Sequence, residues 1–376
     1  MKQIQMVDLQ TQYQKIKSEV NEEIAKVLDS SFYINGPVVK EFQTNLEQYL
    51  NVKHVIPCAN GTDALQIAIM ALDLKPGDEI ITSDFTFAAT VEVVKLLQLE
   101  AVLVDVDKDT YNISIESIKK AITPKTKVII PVHIFGQCAN MDEILAIAQE
   151  NNLYVIEDTA QAIGADYKFK DGSTQKAGTM GDIGTTSFFP SKNLGGYGDG
   201  GAIFTNNDEY AAIMRSVVNH GMGKRYYYDR VGVNSRLDSL QAAILKVKLG
   251  YLNDYIAARQ KAASFYDNFF SSIPGVVTPA RVDYSTHVFH QYTLVIDGLD
   301  QFKLQEFLNE KGIPAMIYYP LPLHIQKAYD AEKYNDGDFP NTNYLCQNVI
   351  SLPMHTELEE DQLQFICESI KTFLQK

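Results

Sequence analysis

A single lysine, Lys192, lies in the stretch Gly181–Thr205, GDIGTTSFFPSKNLGGYGDGGAIFT, with glycines 195, 196, 198, 200 and 201 crowded behind it. The stretch reads as an extended run, a Pro-Ser-Lys corner, a glycine-rich turn and a second apolar run. Glycine permits sharp turns and close approach of other groups. A lysine held between two strands and walled by glycine has little room to reach solvent. Burial is then expected to lower its pKa toward the neutral, nucleophilic amine. The ordinary alternative is a solvated lysine on a hairpin loop, since most lysines are surface groups. Lys192 alone does not decide between them.

Three other groups bear on it. Cys58-Ala-Asn-Gly-Thr-Asp-Ala-Leu65 runs from an apolar stretch straight into a helical one. Gly61 allows a tight turn, and the Gly61 and Thr62 amides with the Thr62 hydroxyl would face a phosphate at a helix N-terminus. A plain N-cap by Asn60 or Thr62 explains the same residues equally well. In Asp84-Phe-Thr-Phe-Ala-Ala-Thr90, Phe85 or Phe87 could stack on a planar ring, with core packing as the default for either. Asp158, in Val155-Ile-Glu-Asp-Thr-Ala-Gln161, is an acid at a strand's carboxyl end, where sites in open α/β sheets collect. Its alternatives are helix capping and metal ligation. No second acidic or histidine ligand lies at useful spacing, so no metal is expected. A phosphate cradle, a stacking ring, an acid and a reactive amine together describe one cofactor, pyridoxal phosphate. The acid would keep the ring nitrogen protonated and the amine would meet the aldehyde.

The elements that must position these groups follow the same rhythm. Val7–Leu28 and then 38–50 have helical spacing, broken by SSFYINGP. From Val52, β-rich runs (His54–Ala59, Glu79–Ser83, Ala101–Asp105, Val128–His133, Tyr154–Glu157, Thr185–Phe189, Ala202–Thr205) appear. Helical segments separate the first five: Thr62–Ala71, Thr90–Leu97, Ile113–Ala121 and Met141–Asn151. This predicts an α/β fold with an open, mostly parallel seven-stranded sheet covered on both faces. One long helical stretch, Ser239–Phe270, would lead out of a large domain (1–250) into a smaller C-terminal α+β domain (251–376). That part holds strand-like His290–Ile296, helix-like Gln301–Lys311, a Pro-punctuated segment Ile317–His324 and a closing helix over Asp361–Gln375.

Composition sets the outer limits. The 376 residues, 45% hydrophobic and 21% charged, describe an ordinary globular protein of two domains. A net charge of −14 argues against nucleic acid or an anionic membrane surface as partner. Any phosphate must be held by local donors. The four cysteines are scattered with no CxxC pair, no secretory leader is evident, and no apolar run is long enough to span a bilayer. A reduced, cytoplasmic protein is expected. No GxGxxG or GKT/GKS signature points to dinucleotide or P-loop binding.

NGTDAL, DFTFAAT, PVHIFGQ, EDTAQAIGA, SFFPSKNLGGYGDGGAIF and GVNSRLDSLQAAIL resemble, in order and spacing, the DegT–StrS family of nucleotide-sugar aminotransferases. The resemblance spans nearly the whole chain. It implies a fold-type I, pyridoxal phosphate-dependent aminotransferase working as a homodimer with two sites at the interface. By motif match Lys192 is the cofactor lysine and Asp158 the partner of the ring nitrogen. Gly61, Thr62 and Ser187 hold the phosphate, Phe87 stacks and Gln161 flanks the ring. Asn234 reaches the phosphate of the neighbouring subunit's cofactor. Family members that dehydrate carry histidine in place of the lysine, so Lys192 implies transamination.

In VNSR, Arg236 is a candidate for the carboxylate of the amino donor or of the sugar, through two parallel bonds. An ion pair at the dimer interface is an equal alternative. Tyr318 and His324 are further candidate substrate contacts. Relatives commonly read His-Tyr-Pro where this chain has Tyr318-Tyr-Pro. The wording looks most like enzymes that aminate the third carbon of a UDP-linked 3-oxo-glucuronate bearing an N-acetyl group, with L-glutamate as the implied donor. dTDP-linked 3-oxo or 4-oxo deoxyhexoses are the alternative acceptors. A regulator that binds the cofactor without turnover is the reading from another class.

Overall fold

The computed structural model describes residues 2–298, 300–329 and 331–375. Seven strands form one sheet in the order His54–Cys58, Gly201–Thr205, Ile183–Ser187, Tyr154–Asp158, Thr126–Ile130, Glu79–Ser83, Glu100–Val104. Gly201–Thr205 runs antiparallel to both neighbours, and every other pairing is parallel. The mostly parallel α/β sheet expected from the alternation is therefore present.

Neighbouring residues along each strand serve opposite faces, as a pleated strand requires. Ile81, Ile129, Val155 and Phe204 join one apolar cluster, with the helices Pro37–Leu50, Met141–Asn151 and Ser239–Gly250. Ile80, Val128, Ile156 and Ile203 join another, with Gly61–Met70, Ala89–Leu96 and Asp208–Val217. Both faces are thus buried, which explains why these strands are continuous apolar runs. A third cluster gathers Tyr266, Phe270, Tyr292, Leu294, Leu308, Ile350, Leu352 and Ile366. Its frame is an antiparallel sheet of Val276–Val277, Tyr292–Ile296 and Val349–Leu352, with Tyr292 opposite Leu352.

Several boundaries shift by one or two residues from expectation, the run Thr185–Phe189 being the strand Ile183–Ser187, and three differences have a local reason. The expected run Val128–His133 ends as a strand at Ile130, because Pro131 has no N–H for the ladder. The Pro131 carbonyl accepts from the Asp158 amide at 2.9 Å, and a single bridge joins Val132 to Asp158. The helix expected from Ile113 starts at Ile115, where the Ser114 side chain caps it by accepting from the Ser117 amide. The stretch Ser239–Phe270 is two helices, Ser239–Gly250 and Leu252–Phe270, which meet at Tyr251 (φ −102°, ψ 0°).

Candidate active site

Lys192 lies on the connection between the antiparallel strands Ile183–Ser187 and Gly201–Thr205. Ser187 pairs with Gly201, and Phe188 N–H donates to the Gly200 carbonyl at 2.8 Å. Lys192 N–H closes a turn onto the Phe189 carbonyl at 2.8 Å. The side chain enters a cavity of about 370 Å³ whose lining includes Asn60, Gly61, Thr62, Phe87, Asp158 and Gln161. Ser187, Lys192, Tyr318 and Tyr319 also line it. Burial lowers the Lys192 pKa from 10.5 to about 8, and the Asp158 carboxylate acts in the opposite direction. Desolvation wins, so near-neutral solution holds an appreciable fraction of free amine. Among the described residues, no hydrogen bond or ion pair engages its amine.

The glycines do not wall that amine, as the sequence reading expected. None of glycines 195, 196, 198, 200 and 201 lines the cavity. They let backbone segments approach one another behind it. A Cβ at Gly201 would stand 2.4 Å from the Asn60 carbonyl oxygen, so the strand could not reach the turn that opens helix Gly61–Met70. A Cβ at Gly61 would stand 2.7 Å from the Ser187 Cβ. These contacts bring the helix N-terminus and the Ser187 hydroxyl to one corner of the cavity. Asn60 caps the helix by accepting from the Asp63 amide at 2.7 Å. The cap and the cradle are therefore compatible: Asn60 serves the third amide, and Gly61 and Thr62 stand at the cavity.

Asp158 is 5% exposed at the end of its strand. Thr90 Oγ1 donates to its Oδ2 at 2.9 Å and the Ala160 amide to its Oδ1 at 3.0 Å, which fixes the carboxylate's plane. Sequence reading missed Thr90, and only its place at the head of a helix facing the sheet could have suggested it. Gln161 accepts from the Phe135 amide at 2.7 Å and donates to the Tyr319 hydroxyl at 3.1 Å. Tyr319, His290 and Gln291 also line the cavity and carried no motif signal. Phe87 is the exposed ring of its pair, at 60%, whereas Phe85 is fully buried. Phe87 is thus the one free to stack.

Three candidates stand apart from this cavity. Asn234 is exposed and bridged through its backbone to Asn219, while Arg236 is half-buried. Neither lines the chain's own cavity. Between them, Ser235 Oγ accepts from the Ala59 amide at 3.0 Å, which ties the segment to the same strand end. His324 is 1% exposed and its ring nitrogens face Asp84 and Asp336, at 2.7 and 3.2 Å. No ring nitrogen of His324 is left for a substrate within this chain.

The amine of a half-buried lysine, a fixed carboxylate, a free aromatic face and a helix N-terminus with a threonine and a serine hydroxyl converge on one cavity. The buried Thr86 hydroxyl, without a partner, adds a further polar group there. This donor set fits pyridoxal phosphate, which needs a nucleophilic amine, an acid for its ring nitrogen and donors for its phosphate.

Comparison with known proteins agrees with that chemistry. The chain is 45% identical to a pleiotropic regulatory protein of Geobacillus stearothermophilus, over 98% of both chains. It is also 45% identical to the UDP-2-acetamido-2-deoxy-3-oxo-D-glucuronate aminotransferase of Pseudomonas aeruginosa, over 98% of this chain and 99% of that one. A DegT/DnrJ/EryC1/StrS aminotransferase from Brucella abortus superposes with a TM-score of 0.92 at 40% identity, covering 99% of this chain and 100% of the other. Residues 14–371 match the family as a whole, and the chain belongs to the DegT/DnrJ/EryC1/StrS aminotransferase family, with pyridoxal phosphate as its cofactor.

Proposed function

We propose that this enzyme moves the amino group of L-glutamate to the 3-oxo carbon of a UDP-linked N-acetyl-hexuronate, for surface polysaccharide synthesis. The observation that carries the reading is the placement of a partly neutral Lys192 and the fixed Asp158 carboxylate in one cavity. The Pseudomonas relative, matched along its whole length, supports the acceptor.

When bound, the cofactor supplies an electrophilic aldehyde and a ring that takes up the electron pair released at the substrate carbon. The chain's residues do the rest. The Gly61 and Thr62 amides and the Ser187 hydroxyl bind the phosphate, Phe87 stacks, and Gln161 flanks the ring. Asp158, oriented by Thr90 and Ala160, keeps a proton on the ring nitrogen. Lys192 would anchor the cofactor, and its Nζ would carry the proton at the substrate carbon. Tyr318, half-buried at the cavity, contacts the acceptor.

The functional unit in this reading is a homodimer with shared sites, in which Asn234 and Arg236 enter the partner's cavity. Large apolar side chains left exposed at Leu28, Phe32, Tyr33, Ile34, Phe189 and Val231 support such an interface. Among the described residues no helix is long and apolar enough to cross a membrane. A division of the chain near residue 250, where the helices break, belongs to the same reading.

The test offers purified, cofactor-loaded protein L-glutamate and a panel of keto nucleotide sugars, with products read by mass. Amination of a UDP-linked 3-oxo-hexuronate ahead of the dTDP-linked ketones is the expected result. Preference for a dTDP-linked ketone would move the acceptor to the other class. Cofactor binding with no amination of any ketone would favour the role named for the Geobacillus relative.

A further inference from the structure

Two segments from distant parts of the chain line the cavity side by side in contact. Thr86 and Phe87 follow the strand Glu79–Ser83, and Tyr318 and Tyr319 belong to the Pro-punctuated segment. Both walls are irregular chain, so no ladder or helix fixes their separation. Two contacts do. The first lies at Asp84, which is anchored to the sheet by its amide donating to the Val104 carbonyl at 2.9 Å. The His324 amide donates to Asp84 Oδ1 at 2.6 Å and His324 Nδ1 to Oδ2 at 2.7 Å, and Leu323 N–H reaches the Asp84 carbonyl at 3.4 Å. The imidazole stacks on Phe339 (centroids 4.2 Å apart, planes 10°) with Nε2 3.2 Å from Asp336. The second contact is edge-on packing of Phe85 against Tyr319, with centroids 5.7 Å apart.

We propose that His324 and Asp84 form a clamp that sets the spacing between these two walls, and with it the fit of the cavity to the nucleotide-sugar acceptor. The clamp rests on the aminotransferase reading above, and makes His324 a positioning residue rather than a substrate contact. Asp84 is buried, and burial raises its pKa to about 6 against the pull of His324. Removing the ring alone therefore strands a buried carboxylate without its side-chain partner, which costs more than removing both members. Lys192 and Asp158 lie on other elements, whereas Phe87 and Tyr319, the partner of Gln161, belong to the clamped walls, so the clamp bears more on acceptor fit than on the amino-donor step.

The test compares His324→Leu, His324→Asn and the double variant Asp84→Asn/His324→Leu. Each loaded enzyme is read by cofactor absorbance, single-turnover rate with L-glutamate, KM for the aminated ketone and Tm. His324→Leu should raise the acceptor KM about tenfold or more, the scale of a broken buried hydrogen bond. Its glutamate step should lose less than the acceptor step, because Lys192 and Asp158 lie on other elements. His324→Asn, whose amide nitrogen occupies the place of Nδ1, should retain a near-normal KM. The double variant should be less impaired than His324→Leu. An unchanged acceptor KM with a lowered Tm, or equal losses in both half-reactions, would overturn the clamp. Should His324→Leu not fold, His324→Asn against His324→Gln carries the same test, since glutamine places its nitrogen near Nε2. Equal KM values in that pair would overturn the clamp too. Failure of wild type itself to load cofactor or respond to glutamate would bring down the aminotransferase reading, and the clamp with it.

Discussion

At Lys192 two effects oppose each other, and their balance can be read in solution. Burial favours the neutral amine and the Asp158 carboxylate favours the ammonium, with a net lowering to about 8. Only the neutral amine attacks an aldehyde. Cofactor-free protein should therefore capture pyridoxal phosphate at a rate that rises with pH through about 8 and then levels, as followed by stopped-flow absorbance. Asp158→Asn removes the charge that raises the lysine's pKa, so the midpoint should fall. A midpoint near the ordinary 10.5 would mean that the amine is not buried. The linkage to stability has a definite sign. A lysine with a folded pKa below its unfolded value opposes folding fully below about 8, and this penalty fades as pH rises toward 10.5.

At the scale of elements, the sequence carried the scaffold well and the side-chain partnerships poorly. Alternation of apolar runs and helical spacing is sufficient for a sheet buried on both faces, because paired residues such as Ile80 and Ile81 must each find a core. Strand ends were legible too, and with them the places of Asp158 and Lys192, since sites collect there. Contacts across the chain were not. Thr90 is 68 positions from Asp158 and His324 is 240 from Asp84, and no local pattern encodes either pairing. The glycines after Lys192 show the same limit. Their number signalled close packing, but not that they pack Pro190, Gln241 and Asn60 rather than the amine. In the sequence His324 is a candidate substrate contact because it sits with aromatic groups in the Pro-punctuated segment Ile317–His324. Its carboxylate neighbours come from elsewhere in the chain.

At the scale of the whole molecule, a net charge of −14 leaves phosphate binding to local donors, and in the proposed reading these are the N-terminus of the helix Gly61–Met70 and Ser187. In the proposed homodimer, Asn234 and Arg236, which one chain leaves outside its own cavity, would act in the partner's site. Mixing inactive Lys192→Ala with inactive Arg236→Ala subunits tests this. With composite sites each mixed dimer holds one intact site, so random exchange should restore about a quarter of wild-type activity. No recovery, with exchange verified, would return Arg236 to a structural role. The account as a whole depends most directly on Lys192 holding the cofactor. Loaded protein reduced with borohydride and digested should carry the cofactor's mass on the peptide containing Lys192, and Lys192→Ala should carry none. The same mass on a peptide with any other lysine, or on no peptide from active protein, would contradict it.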